Sequence, residues 1–215
     1  VKLALITPID LLDLAAMSDY HLILPHLLDN ERYRSFYADT SGYKILDNGA
    51  AEGVSTDFRR LQDLARDLGT GSGVDEIVVP DALGDCEATI DLARRFESYA
   101  QPDLYRYGGV AQGRTLAELV KCITFFEHTK WISVLYLPRI INTIHRTQRF
   151  SLIEPVAKEY KFDSIHCLGA SDWIREVIAI DSTNCVRGMD TSLPVVLGLA
   201  GASLRDDTYH DRQPN

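Results

Sequence analysis

The chain has 215 residues, 46% of them hydrophobic and 25% charged, and carries a net charge of −9, with a mean hydropathy close to zero. That balance describes a globular chain with enough apolar residues for one substantial core. It excludes a membrane span, since no apolar run approaches the roughly 18 to 20 residues one requires, and it argues against a general polyanion binder, whose affinity rests on Lys and Arg at phosphates. No basic region with a cleavage site precedes Val1-Lys2-Leu3-Ala4-Leu5-Ile6, so a cytosolic protein is expected. Cys86, Cys122, Cys167 and Cys185 form no CxxC or CxC pair; buried free thiols are expected rather than a disulfide framework or a zinc cluster.

Short β-branched runs alternate with helical patterns along the chain, the signature of parallel βα units. Strands are expected over Lys2 to Thr7, Tyr43 to Asp47, Glu76 to Val79, Tyr107 to Ala111, Trp131 to Leu137, Ser164 to Leu168 and Cys185 to Met189. An eighth is expected at His21 to His26, in preference to Val195 to Gly198, with Val195 to Ala200 as a helix after the last strand. Between the strands, Asp57 to Leu68 sets Phe58, Leu61, Leu64, Ala65 and Leu68 on one helical face, and Ala88 to Tyr99, Leu116 to His128 and Asp172 to Ile180 behave alike. The fold class expected is α/β, a compact (β/α)8 TIM-type barrel in a single domain over residues 1–203, with a polar tail over 204–215 and no zinc subdomain. The rival is an open doubly wound sheet, but neither G-x-G-x-x-G nor G-x-x-x-x-G-K-[ST] follows the first strand. Gly69-Thr-Gly-Ser-Gly73 reads as a flexible loop.

In such a barrel the carboxyl ends of the strands line the active-site mouth. Asp47, Asp81, Gln112, Arg139, His166 and Asp190 would then face one space. Each has an ordinary reading alone: aspartates cap helices, Asn48-Gly49 makes a turn, and a glutamine after a strand is usually a satisfied loop residue. Three carboxylates and an amide at the same end of successive strands are harder to explain as caps. The segment Pro138-Arg139 to Arg149 concentrates three arginines and His145 in twelve residues, a phosphate-facing candidate as readily as a solvated helix face.

These residues carry a resemblance. L-D-N-G-A-A-E at 46–52, V-V-P-D at 78–81, G-V-A-Q-G at 109–113 and M-D-T-S-L-P at 189–194 stand in the order of the matching motifs of tRNA-guanine transglycosylases. The chain looks closest to their phage-type DpdA-like relatives, which place 7-deazaguanine bases into DNA; the similarity runs from the first strand to about Gly201. It implies that Asp190 is the nucleophile at C1′ of the target nucleoside and Asp47 the acid/base. It also implies that Asp81 and Gln112 read the purine edge. Asn48, Gly109, Gly113 and His166 are further substrate-binding candidates from the residues themselves: backbone N–H groups around Gly108, Gly109 or Gly169 would supplement the edge contacts, and His166, at a strand end, reads as a ribose contact or equally as a bond to a neighbouring loop. The C-x-C-x-x-C plus His zinc site of the tRNA enzymes is absent from this sequence, and Val134-Leu-Tyr-Leu-Pro138 replaces their G-G-L-A-V-G loop.

The chemistry also follows from the residue types. Exchanging a base at C1′ with retention takes two displacements through an oxocarbenium-like state, which needs a carboxylate nucleophile and an acid/base group. A guanine edge offers donors at N1 and the 2-amino group and an acceptor at O6, suiting Asp81 as acceptor and Gln112 as donor. The target base must leave its stack, at a cost of a few kcal/mol that phosphate contacts from Arg139, Arg146 and Arg149 would offset. The expectation is therefore a base-exchange enzyme acting on DNA, with tRNA second, and a free 7-deazaguanine, without metal or other cofactor; a homodimer or a helper protein is left open. Its rivals are a barrel hydrolase or lyase on a small sugar phosphate and a catalytically silent nucleic-acid-binding subunit. Tyr136 reads as core or as a stacking surface. His21 and His26 read as structural, and Glu52 and Asp85 as orienting or helix-start acids.

Overall fold

The alternation of β-branched and amphipathic segments resolves, in a computed structural model, into eight parallel strands ringed by helices. The structure describes residues 1–54, 57–68, 73–144, 149–170, 173–181 and 183–202; the glycine-rich loop expected at 69–73 lies almost wholly outside them. The strands are β1 (Lys2–Leu5), β2 (Tyr20–Ile23), β3 (Tyr43–Leu46), β4 (Glu76–Val78), β5 (Arg106–Val110), β6 (Val134–Pro138), β7 (Ser164–Leu168) and β8 (Val186–Thr191). From β2 to β8 each pairs with its sequence neighbour in parallel register, and β8 pairs back to β1 through Lys2↔Gly188 to Leu5↔Thr191. β1 and β2 lie side by side, bridged by the Ser18 hydroxyl, which donates to Leu3 O at 2.6 Å and accepts from Tyr20 N–H at 3.1 Å. The result is a nearly closed (β/α)8 barrel. The eighth strand falls where His21 to His26 was expected, and 193–199 is helical.

The helices are α1 (Leu12–Ala15), α2 (Glu31–Asp39), α3 (Phe58–Asp67), α4 (Cys86–Phe96), α5 (Leu116–His128), α6 (Ile140–Ile144), α7 (Phe150–Glu159), α8 (Trp173–Asp181) and α9 (Leu193–Leu199). Local chemistry starts several of them: Asn30, Asp57 and Asp85 accept from the N3 backbone N–H of α2, α3 and α4, and Thr115 with Glu118 forms a full capping box on α5. Asp85 is thus the helix-start acid of the two alternatives. No helix among the described residues is long and apolar enough to cross a membrane.

Strand parity splits the apolar residues into two layers. Ile23, Leu46, Ile77, Tyr107, Leu135, Cys167 and Met189 face outward into the core beneath the helices. Ala4, Tyr20, Leu22, Ile45, Val78, Val110, Val134 and Tyr136 fill the barrel interior. Tyr136 is therefore core and does not stack on a ligand. Gly109 faces outward, where an added Cβ would meet the Phe126 ring at 2.6 Å, and Gly108 faces inward, where an added Cβ would run into the Tyr136 ring. Both glycines leave room for aromatic rings, one on each side of β5.

Candidate active site

Asp47 and Asn48 follow β3, Asp81 follows β4, Gln112 follows β5, Arg139 follows β6, Gly169 follows β7, and Asp190 lies near the end of β8. All of them stand at the carboxyl end of the barrel. Asp47 N–H donates to Ile23 O at 2.9 Å, which extends the β2–β3 ladder to the turn. The turn itself is built by Gly49, whose φ of +82° suits glycine; its N–H donates to Asp47 Oδ2 at 3.2 Å. The Asp47 carboxyl is pushed up to about 7, first by burial and then by the negative charges of Glu52, Asp81 and Asp190, against the pull of the Gly49 N–H. Glu52, exposed nearby, thus acts on Asp47 through charge.

Beside it lies an amide–carboxylate cluster. Asn48 Nδ2 donates to Val79 O at 2.9 Å and to Asp81 Oδ1 at 2.7 Å, while its Oδ1 accepts from Ala50 N–H at 2.8 Å. Gln112 Nε2 donates to Asp81 Oδ2 at 2.6 Å, and its Oε1 accepts from Gly84 N–H at 2.9 Å. Both amides are buried, whereas Asp81 keeps part of its surface open. Loss of water pushes the Asp81 carboxyl up to about 6, against the two amide donors. Both Nδ2 hydrogens of Asn48 are spent on the scaffold. Asn48 therefore fixes Asp81 instead of reading a substrate edge, while Gln112 retains a second N–H.

Asp190 is held differently. Its Oδ1 accepts from Gly169 N–H at 3.0 Å and meets His166 Nε2 at 3.2 Å. His166 is fully buried, and burial outweighs the attraction of Asp190 to bring the imidazole below its ordinary pKa. It touches the Asp190 carboxylate from within the barrel and so orients that group instead of lining the mouth.

The arginines separate. Arg149 is fully buried: Nε donates to Glu176 Oε1 at 2.6 Å, Nη1 to Leu137 O at 2.7 Å and Leu168 O at 2.5 Å, and Nη2 to Gly169 O. The expectation that Arg149 faces phosphate is corrected, because an arginine with this many internal acceptors and no exposure cannot reach a ligand outside. It has a local consequence instead. The Leu168–Gly169 peptide gives its carbonyl to Arg149 Nη1 and to Arg139 N–H, at 2.9 Å, while its N–H holds Asp190. The clamp thus polarises the peptide that grips the candidate nucleophile. Arg139 itself is exposed at the mouth, its Cβ 3.5 Å from where a Cβ on Gly169 would stand. Arg146, His145 and the tail at 204–215 lie outside the described residues.

Of the two glycines expected to bind substrate, Gly109 is accounted for by Phe126, and Gly113 by the turn into α5, where an added Cβ would meet Leu119 N at 2.7 Å. Cys86, Cys122 and Cys167 are buried free thiols and Cys185 is half-buried; burial pushes the Cys167 thiol up to about 12, out of the range of a nucleophile. His21 Nε2 lies 3.1 Å from Ser41 O, a structural contact. Among the described residues no three His, Cys, Asp or Glu side chains gather as metal ligands.

Several mouth and interior residues, Tyr136 apart, have no site role in the sequence reading. Thr7, two residues beyond β1, is buried with its Oγ1 unpartnered. Beneath Asp190, Glu76, Arg187, Tyr20, Tyr43 and Tyr136 form a polar network inside the barrel. Arg187 Nη2 and Nη1 reach Glu76 Oε1 and Oε2, each at 2.8 Å. Tyr43 O–H donates to Glu76 Oε2 at 2.7 Å, and Tyr136 O–H donates to Oε1. Burial alone would push the Glu76 carboxyl up, but Arg187 and the two hydroxyls hold it below its usual range. The chain matches no protein-family model and no curated protein.

Proposed function

We propose that this chain is a base-exchange transglycosylase that replaces guanine in nucleic acid, DNA before tRNA, with a 7-deazaguanine. The observation that carries the reading is the unlike treatment of two carboxylates at one barrel mouth. Asp190 is gripped by two nitrogen groups at a single oxygen, while Asp47 is pushed up to about 7. Unlike environments of this kind assign one carboxyl group as nucleophile and the other as acid/base.

In this reading Asp190 Oδ2 attacks C1′ as the C1′–N9 bond of guanine breaks, and the departing base takes a proton from Asp47 or from a water it holds. The incoming base then gives its N9 proton back to Asp47, and its N9 displaces Asp190 from C1′. Asp81 accepts from N1 and the 2-amino group of the base, and the remaining Gln112 N–H donates to O6. Thr7 Oγ1 offers a hydroxyl to the sugar. Arg139, exposed at the mouth, is placed for phosphate, with Arg146 beyond the described residues.

Burial of Arg149 removes one arginine from the phosphate contacts of this reading and from the anion site of a sugar-phosphate hydrolase or lyase alike. The test is to supply guanine-containing DNA or tRNA with radiolabelled guanine or 7-cyano-7-deazaguanine and to count label in the polymer, for wild type and Asp190→Ala. Label entering DNA only when Asp190 is present supports the reading, and label entering tRNA moves the substrate but keeps the chemistry. No label in either polymer refutes it.

A further inference from the structure

A single file of hydrogen bonds crosses the barrel from β4 to the mouth. Glu76 holds Arg187 by both terminal nitrogens, and Arg187 Nε donates to the Tyr20 hydroxyl oxygen at 3.1 Å. The Tyr20 hydroxyl lies 2.8 Å from His166 Nδ1, and His166 Nε2 lies 3.2 Å from Asp190 Oδ1. The two ends of this file dictate its direction. A guanidinium can only donate and an ionised carboxylate can only accept. With the Tyr20 oxygen accepting from Arg187, its own O–H is directed at Nδ1. A neutral imidazole that accepts at Nδ1 carries its proton on Nε2, where Asp190 takes it.

The packing leaves the ring little freedom to answer otherwise. His166 is fully buried, stacked on Tyr20 with ring centroids 5.7 Å apart and tilted against Tyr136 at 4.8 Å. Tyr20 in turn stacks on Tyr43 at 5.6 Å, and Arg187 lies over the Tyr43 ring at 4.7 Å. Gly188 makes the arrangement fit, because a Cβ there would meet the Tyr20 ring at 2.5 Å. Arg187 reaches the interior because β8 bulges: Ile165 pairs with Val186 and His166 with Gly188, so that Arg187 is skipped in the register with β7.

We infer that Glu76, Arg187 and Tyr20 are positioning residues that fix His166 in its Nε2–H tautomer and thereby hold the Asp190 carboxylate in the orientation from which it attacks. The catalytic part rests on the base-exchange reading above; the proton order does not. Partners that orient metal-ligating histidines are typically worth about 10- to 100-fold in activity, and the same order is expected of this file.

The test has two parts. Spectra of protein labelled with 15N-histidine, with His166 assigned by its loss in His166→Gln, report which ring nitrogen bears the proton. The expected result is Nε2 in wild type and a weaker preference for Nε2 in Tyr20→Phe, where only the Asp190 end of the file still selects it. In base-exchange assays Tyr20→Phe should lower kcat by about 10- to 100-fold with the KM of the base unchanged. The amide nitrogen introduced by His166→Gln donates whatever the Tyr20 hydroxyl does, so adding Tyr20→Phe to that variant should cost little further. A wild-type proton on Nδ1, or an equal Tyr20→Phe penalty in both backgrounds, overturns the inference. A wild type that shows the Nε2 proton but exchanges no base supports the proton order and removes the base-exchange reading instead.

Discussion

Replacing Asp47 by asparagine should make the protein more stable at neutral and alkaline pH, by an amount set by the site itself. Asp47 has a carboxyl displaced from its ordinary 3.8 to about 7, so it binds its proton more tightly in the folded chain than in the unfolded one. Below the unfolded value it is protonated in both states and makes no difference. Stability then falls as pH rises towards 7, and above that the full penalty is present. At about 1.36 kcal/mol for each pKa unit, the penalty is about 4 kcal/mol. The amide of Asp47→Asn would keep an oxygen for the Gly49 N–H that now reaches Asp47 Oδ2 but would carry no charge to bury. Urea unfolding of wild type and Asp47→Asn at about pH 4 and about pH 8 should therefore give a stability difference that grows in favour of the variant by about 4 kcal/mol over that range. A difference independent of pH would refute the reasoning, since it would mean that Asp47 ionises as readily in the fold as in the free chain.

Other consequences can be measured separately. Arg149→Met leaves the buried Glu176 without its ion-pair partner and strips donors from three carbonyls, so it should cost about 3–5 kcal/mol in urea unfolding; a phosphate-facing arginine would cost almost nothing. Asp81→Asn turns an acceptor that already takes two amide donors into a group that can clash with them, and it should weaken binding of the free base, read by calorimetry, by about 10- to 100-fold. Gly108→Ala drives a methyl into the Tyr136 ring, whose hydroxyl is tied to Glu76, and should lower the stability measured by thermal unfolding by about 1–3 kcal/mol.

How much of this was legible depended on whether the signal was local. Apolar runs ending in Asp47, Asp81, Gln112 and Asp190 mark strand ends, and the helix over Leu116–His128 follows from its apolar period. Helices α2 and α7 gave weaker signals: α2 buries tyrosines, Tyr33 and Tyr37, in a charged segment, and α7 contains Pro155, which reads as a break. Arg149 shows the limit most clearly. Its sequence neighbours are basic, but its partners are Glu176 and the carbonyls of Leu137, Leu168 and Gly169, brought to it only by the closing of the barrel. Arg187 was hidden by a different cause. Strict alternation along β8 would put Arg187 on the outer side with Met189, and only the bulge turns it inward. Asn48 and His166 stood among the site candidates in the sequence, but the direction of their hydrogen bonds, and so their service to Asp81 and Asp190, required coordinates.

The central claim is that Asp190 forms a bond to the sugar. Denaturing the protein in the course of reaction with guanine-containing DNA, and sequencing the cross-linked peptide by mass spectrometry, tests it most directly. The account predicts a nucleic-acid adduct on Asp190 that is lost in Asp190→Ala and released by an excess of 7-deazaguanine base. An adduct on another residue, or turnover with no adduct and full activity in Asp190→Ala, would contradict it.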